Sequence, residues 1–418
     1  MNRLAFVTTH PIQYYAPWFR CLAGQPDLQL KTWYLWDFGT TNQVDNGFQQ
    51  AIQWDVPLLD GYDWEFVPNR SRRPGTADFW GIDNPELIGR LRAYDPSAVL
   101  CLGYNFATFA RLLVHWNRSR SPLMLRGDSH RLVRSQGLKA WVKAQALKQV
   151  FRRFAAFLYV GKANRDYYRM HGVPDERLFF SPHSVDNERF MSNRSQVERE
   201  AAAWKRELGI SESKRVVLFV GKFEEKKRPL DLLKAFARAR VKDTALLFVG
   251  AGALEAAIRD AARTASDIYI APFQNQSQMP RTYAAADVVV LPSFGTGETW
   301  GLCINEAMCL GKPVIVSTHV GCARDLVVSG VNGFVFYAGD VGSLSDSLRN
   351  VLEDRDRMEQ FGRASFQRIH NYSYQKATEG LLQALAWLQS GKTSQGNGRQ
   401  RKDDQETDYA TKVRAGVA

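Results

Sequence analysis

The chain has 418 residues, 45% apolar and 23% charged, with a formal net charge of +12 at pH 7. That length exceeds one ordinary core and suits two domains, and no apolar run approaches the roughly 20 residues a membrane span needs. The positive excess favours anionic partners such as phosphates, nucleotides or an acidic membrane surface, and the lack of any RNP, zinc-finger or helix-turn-helix pattern argues against nucleic acid.

The first nine residues form a short apolar run that ends at His10-Pro11. They lack the basic start, long apolar centre and cleavage site of a signal peptide, so the chain is expected in the cytoplasm. Short apolar or β-branched runs follow at 4–9, 28–35, 98–103, 123–127, 157–161 and 178–182. Their alternation with helical stretches predicts a Rossmann-like domain over 1–195. Within it, 131–165 carries Arg131, Arg134, Lys139, Lys143, Lys148, Arg152, Arg153, Lys162 and Arg165 with no acid, interleaved with Leu138, Trp141, Val142, Leu147 and Phe151. This reads either as a basic amphipathic helix for an anionic membrane surface or as a core-packed helix with a solvated basic face.

A polar helix at 196–208 marks the join between two strand series. Runs at 216–221, 245–250, 268–272, 288–292, 313–317 and 333–336 then predict a buried parallel sheet flanked by helices, a second Rossmann-like domain over 205–370. A helix at 377–388, within 371–389, is expected to pack back toward the N-terminal domain. Residues 390–418 are rich in Gly, Ser, Gln and charge, and disorder is expected there. The five cysteines are scattered and without Cys-x-x-Cys spacing, which suits neither a disulfide framework nor a zinc site.

In open α/β sheets ligands bind beyond the carboxyl ends of the strands. The run Gly221-Lys222-Phe-Glu-Glu-Lys-Lys227 brings cations to such an end, either for phosphate binding or as solvated surface. Gly250-Ala-Gly252 lets a backbone approach a ligand or simply makes a tight turn. The loop Ser293-Phe-Gly-Thr-Gly-Glu298 opens a helix at 301–310 that contains Glu306. Free N–H groups at such a helix start suit a diphosphate. Glu306, among small and apolar neighbours, needs a partner: ribose hydroxyls, a salt bridge or a cap. Eight helical residues span about 10 to 12 Å, beyond the roughly 5 to 9.5 Å of a glycosidase carboxyl pair, so two grips on one elongated ligand are expected instead.

Glu298-Thr-Trp-Gly-Leu-Cys-Ile-Asn-Glu306-Ala-Met, followed by Gly-Lys-Pro-Val, resembles the Glu-x7-Glu signature of the family 4 glycosyltransferases. The likeness extends back through Ala271-Pro-Phe-Gln-Asn-Gln and Tyr283-Ala-Ala-Ala-Asp-Val, and forward through Gly321, Asp325 and Asn332-Gly333. It implies the GT-B fold, with two Rossmann-like domains facing a cleft, and a retaining transfer of sugar from a nucleotide-sugar donor without a metal. It further implies that Glu298 holds donor-sugar hydroxyls and Glu306 the ribose. Backbone around Thr299, Trp300, Gly301 and Leu302 meets the sugar and diphosphate, alongside Gly221 and Gly250. Lys222 stands where the family has Arg, and with Lys227 it is expected to neutralise the departing diphosphate. Only Asp354-Arg-Asp356 has the spacing of a metal-binding Asp-x-Asp, in a charged stretch that reads as a solvated helix.

The N-terminal half departs from that pattern. No Gly pair follows the first strand, where His10-Pro-Ile-Gln13 stands, and the family's His position falls at Gly127, followed by Asp128-Ser-His130. Asp128, His130, His10 and Gln13 are therefore candidate contacts for donor sugar or acceptor, or turn and capping residues. The expected function is transfer to a glycan or lipid-linked acceptor in envelope or polysaccharide biosynthesis, at the inner face of the cytoplasmic membrane. Alternatives are an epimerase or sugar-phosphate synthase on the same fold, or an inactive glycan- or membrane-binding homologue.

Overall fold

The computed structural model describes residues 2–40, 43–45, 47–119, 121–133, 137–263, 265 and 267–390. Arg134 of the basic stretch and residues 391–418 of the expected tail lie outside the described residues.

The first half contains β1 (Asn2–Thr8), β2 (Leu28–Tyr34), β3 (Gln43–Asp45), β4 (Gln50–Ile52), β5 (Asp63–Phe66), β6 (Ala98–Cys101), β7 (Leu123–Gly127), β8 (Ala156–Tyr159) and β9 (Leu178–Phe180). Seven of these form one parallel sheet, in the order β5-β2-β1-β6-β7-β8-β9, while β3 and β4 pair as an antiparallel hairpin. The second half contains β10 (Arg215–Val220), β11 (Thr244–Val249), β12 (Ile268–Ala271), β13 (Val288–Leu291), β14 (Val314–Ser317) and β15 (Gly333–Phe336). They form a parallel sheet in the order β12-β11-β10-β13-β14-β15. The α/β class with two parallel sheets is as the sequence predicts.

Both sheets are covered on both faces, which is why their central strands read as unbroken apolar runs rather than alternating ones. Leu218 and Leu247 point into one core layer, and Phe219 and Phe248 into the other. In each sheet the strand order reverses beside the first strand, between β1 and β6 and between β10 and β13. At such a reversal the loops diverge and leave a crevice. The loop after β1 carries His10 and Gln13; those after β10 and β13 carry Lys222, Lys227 and Glu298.

The stretch 131–165 is not one amphipathic helix, which corrects the sequence expectation. Its helix is Leu138–Phe151, and it is followed by the buried strand β8 and a separate helix Lys162–Met170. Phe151 and Phe154 sit in the core, so apolar residues in this stretch serve two different surroundings. Near the helix start Leu138, Trp141 and Val142 are 75%, 61% and 53% exposed.

The chain crosses between the sheets twice. The first crossing runs from β9 through the short helix Asn187–Met191 to the helix Arg194–Glu207. The second leads from the helix Arg355–Ile369 to the helix Tyr374–Gln389, which lies against the first sheet. There Trp18 Nε1 donates to Thr378 Oγ1 at 3.1 Å, Ser181 Oγ to the Ala377 carbonyl at 3.0 Å, and Tyr374 to the Tyr14 carbonyl at 2.9 Å. Gly380 sits so close to β9 that a Cβ would fall 1.8 Å from the Phe180 carbonyl oxygen. The crossings are tied together, because Asn187 Nδ2 donates to the Ile369 and Tyr372 carbonyls at 3.5 and 3.4 Å.

Candidate active site

A cavity of about 460 Å³ lies between the carboxyl ends of the two sheets. On the second sheet its floor is made by the loops after β10 and β11, and these approach closely. A Cβ on Gly250 would fall 2.0 Å from the Gly221 carbonyl oxygen, and Gly250 holds φ +149°. Glycine is therefore required there for loop packing as well as for access to the cavity. The helix Leu302–Cys309 begins at the cavity wall, with Gly301 as its N-cap at φ +99°.

Lys227 comes from the 3-10 turn Glu225–Lys227, and its Nζ pairs with Glu298 Oε2. Their side chains are 16% and 12% exposed. Ser293 Oγ donates to the same oxygen at 2.9 Å. Burial works to lower the Lys227 ammonium, but the Glu298 charge outweighs it and holds Lys227 above its usual value. The Glu298 carbonyl accepts from His130 Nε2 at 3.1 Å, and His130 Nδ1 accepts from the Leu132 N–H at 3.3 Å. Those two contacts select the tautomer with the proton on Nε2.

Glu306 faces the same cavity from the helix. Tyr283, whose ring is buried, donates to Glu306 Oε2 at 2.6 Å. Burial pushes the Glu306 carboxyl up to about 7, against the opposing Tyr283 hydrogen bond and Arg189 charge. Near neutral pH this group changes between a carboxylate that accepts two hydroxyl donors and a neutral acid.

The first sheet supplies the opposite wall. His10 and Gln13 line the cavity. The His10 ring lies edge-on to Trp36 and Phe38, with centroids 5.7 and 5.4 Å away, and burial lowers its pKa to about 4. It is thus neutral over the ordinary working range. The β3–β4 hairpin reaches across to the second sheet. Lys222 Nζ donates to both Asp45 carboxylate oxygens, at 2.8 and 3.1 Å, and lies 4.9 Å from the centre of the Phe48 ring. Phe48 in turn meets Phe273 edge-on at 4.8 Å.

Of the residues singled out from sequence, Lys222, Lys227, Glu298, Glu306, Gly221, Gly250, Gly301, Leu302, His10 and Gln13 all line this cavity. Asp128, His130, Thr299 and Trp300 do not. They form an adjoining cluster at the domain boundary. Thr299 Oγ1 donates to Asp128 Oδ2 at 2.7 Å, and His183 Nε2 stands 3.5 Å from the same oxygen. Burial pushes the Asp128 carboxyl up, but the His183 and Thr299 contacts outweigh it and bring it down to about 2. The side chain keeps 42% of its surface exposed. Trp300 is buried and donates through Nε1 to Asn305 Oδ1 at 2.8 Å, while Asn305 Nδ2 donates to the His183 carbonyl at 3.0 Å.

Two participants carry no sequence motif, Asp45 and His183, whereas Tyr283 opens the Tyr283-Ala-Ala-Ala-Asp-Val stretch of the family likeness. The Asp45-x-Gly47 turn pattern marks a bend and nothing more. Among the described residues no group of three or more His, Cys, Asp or Glu side chains is placed to hold a metal ion.

This arrangement of paired cations, a helix start and two carboxylates suits an elongated ligand with an anionic middle and hydroxyl-bearing ends. Residues 200–368 match the family description Glycosyl transferases group 1. That segment is a group 1 glycosyltransferase domain. The chain is similar to D-inositol 3-phosphate glycosyltransferase of Nocardia farcinica, 27% identical over 234 residues, covering 53% of this chain and 50% of that protein. It is likewise similar to N-acetyl-alpha-D-glucosaminyl L-malate synthase of Bacillus anthracis, 26% identical over 211 residues and 50% of each. The chain thus spans about half the length of these relatives. In three dimensions it resembles Anabaena HepE, solved with UDP and glucose, with a TM-score of 0.69 at 16% identity, covering 92% of this chain and 100% of that one. It also resembles WaaG, described as a glycosyltransferase involved in lipopolysaccharide biosynthesis, with a TM-score of 0.59 at 14% identity, covering 90% and 99%. These likenesses establish the GT-B fold, and the group 1 domain supplies Lys222, Lys227, Glu298 and Glu306 to its cleft.

Proposed function

We propose that the chain is a retaining glycosyltransferase of family 4 that works without a metal ion and moves a sugar from a nucleotide-sugar to a glycan or lipid-linked acceptor. The observation that carries this reading is the convergence of Lys222, Lys227, Glu298 and Glu306 on one interdomain cavity within a group 1 domain. In this reading Glu306 takes the ribose hydroxyls, Glu298 takes hydroxyls of the transferred sugar, and the N–H groups at Gly301 and Leu302 face the diphosphate. As the bond from anomeric carbon to phosphate oxygen breaks, charge grows on the diphosphate, and Lys222, Lys227 and the helix start stabilise it. The acceptor oxygen bonds to the anomeric carbon from the same face, and its proton goes to the departing phosphate. Asp128, partly exposed beside Glu298, takes a hydroxyl of the acceptor or sugar. The UDP in the HepE structure makes UDP-sugars the first donors to test.

An acceptor at an anionic membrane surface, on the cytoplasmic side, fits the helix Leu138–Phe151. Its exposed Leu138, Trp141 and Val142 stand beside exposed Lys139 and Lys143, and the helix has no acid. The helix starts from the carboxyl edge of the sheet, so seating that end in a lipid interface brings the cleft mouth to the surface. Among the described residues no helix is long and apolar enough to cross a membrane.

The test is nucleotide release from a panel of UDP-, GDP- and ADP-sugars in chelator, with labelled-sugar transfer to lipid extracts. Release by one donor class, lost in Glu306→Ala, is the expected result; equal release by that variant overturns the site.

A further inference from the structure

We infer that Asp45 is a built-in competitor for the donor diphosphate: it pairs with Lys222 and gives it up when the donor enters. This rests on the donor-site reading above. Asp45 belongs to the first domain and Lys222 to the second, 177 residues away, yet the ammonium meets both carboxylate oxygens. The contact is constructed rather than incidental. Asp45 Oδ1 also accepts the Gly47 and Phe48 N–H groups, at 2.8 and 3.0 Å, which fixes the carboxylate at the hairpin turn. The turn is seated against the loop after β10, because a Cβ on Gly47 would fall 2.5 Å from Lys222 Cδ and from Glu224 Oε1. Phe48 covers the ammonium and anchors on Phe273. Asp45 and Lys222 keep only 18% and 30% of their side-chain surface.

Asp45, Phe48, Lys222 and Lys227 line one cavity. Of its two lysines, Lys227 is committed to Glu298 and Lys222 to Asp45. A diphosphate bound there brings two or more negative charges beside the Asp45 carboxylate. Like charges at that distance repel, and one ammonium cannot satisfy both at full strength. Lys222 therefore exchanges partners, and the hairpin loses its ionic hold on the second domain. The first domain in this way senses that a donor is present, and donor affinity is held below what the same cavity would reach without the carboxylate. Lysine suits this exchange, since a point charge on a flexible stem can be handed over where a bidentate arginine fork would remain engaged.

The inference is tested by titration calorimetry of wild type, Asp45→Asn, Lys222→Met and the double variant with UDP, GDP and ADP and their nucleosides, in chelator. Asparagine keeps the acceptor for the Gly47 and Phe48 N–H groups, and a matching thermal melt checks the fold. Asp45→Asn is expected to tighten diphosphate binding about 5- to 20-fold, the size of a partly buried ion pair. Nucleoside binding should be unchanged, and the gain should vanish in the Lys222→Met background. Unchanged or weaker diphosphate binding in a folded Asp45→Asn protein overturns the inference. So does an equal gain for the nucleosides, which would mean only a more open cavity. If wild type and every variant bind no nucleoside diphosphate, the donor-site reading itself has failed.

Discussion

Glu298 and Lys227 neutralise one another inside the cavity, with Ser293 as the second partner of the carboxylate. Removing one member of a buried pair strands the other. Lys227→Met is therefore expected to cost about 3 kcal/mol in urea unfolding, and Lys227→Met with Glu298→Gln clearly less than the sum of the two single changes. Sugar transfer by Lys227→Met should fall about 100-fold or more at saturating donor, as a group that meets developing charge requires. A KM effect alone would contradict that role.

Glu306 predicts a pH dependence with a definite sign. Its folded pKa, about 7, lies above the ordinary glutamate value, so its contribution to stability is present in acid and is lost as pH rises through 7. Glu306→Gln should accordingly gain about 1 to 3 kcal/mol over wild type at pH 8 and almost nothing near pH 4. Binding runs the other way. A nucleoside, which has no phosphate to titrate, should bind wild type more tightly at pH 8 than at pH 6, and the slope should be absent in Glu306→Gln.

Asp128 behaves oppositely. Its pKa is depressed to about 2, so the stability it supplies is present above its usual value near 4 and is lost only as pH falls toward 2. An acid limb in the rate profile between pH 5 and 7 should survive Asp128→Asn unshifted. Because the side chain is substantially exposed, its coupling to Thr299 in a double-mutant cycle should be modest, about 0.5 to 1 kcal/mol.

Gly380 offers a test of packing against propensity. Alanine in a helix interior normally gains up to about 1 kcal/mol over glycine. Here the added methyl would meet the Phe180 carbonyl of β9, so Gly380→Ala is expected to destabilise by about 2 kcal/mol or more. Chemical denaturation of the variant decides it.

The strands that build the two sheets were legible because parallel strands buried on both faces must be continuous apolar runs bounded by turn residues. Those missed were the ones that break this rule. β5 is an edge strand reading Asp-Trp-Glu-Phe, and the β3–β4 hairpin has only three residues per strand and stands off the sheet. In the site, Lys222, Lys227, Glu298 and Glu306 could be found because one local stretch of chain fixes each. Asp45 and His183 could not. Their meaning comes from a partner far off in sequence, Lys222 for one and Asp128 for the other, and no spacing along the chain records that meeting. The basic stretch 131–165 misled for a related reason: a run without acids spanned a basic helix, an uncharged buried strand and the start of a second helix.

The hydrogen bonds from Asn187 to Ile369 and Tyr372 clasp the two interdomain crossings side by side. Two strands of chain fastened at one spot act as the pin of a door. A rotation of the halves that left this clasp intact would pivot there. Such a rotation would change the cleft most at the rim farthest from Asn187, so Asn187→Ala would act at a distance, on the opening between the halves rather than on any group that lines the cavity.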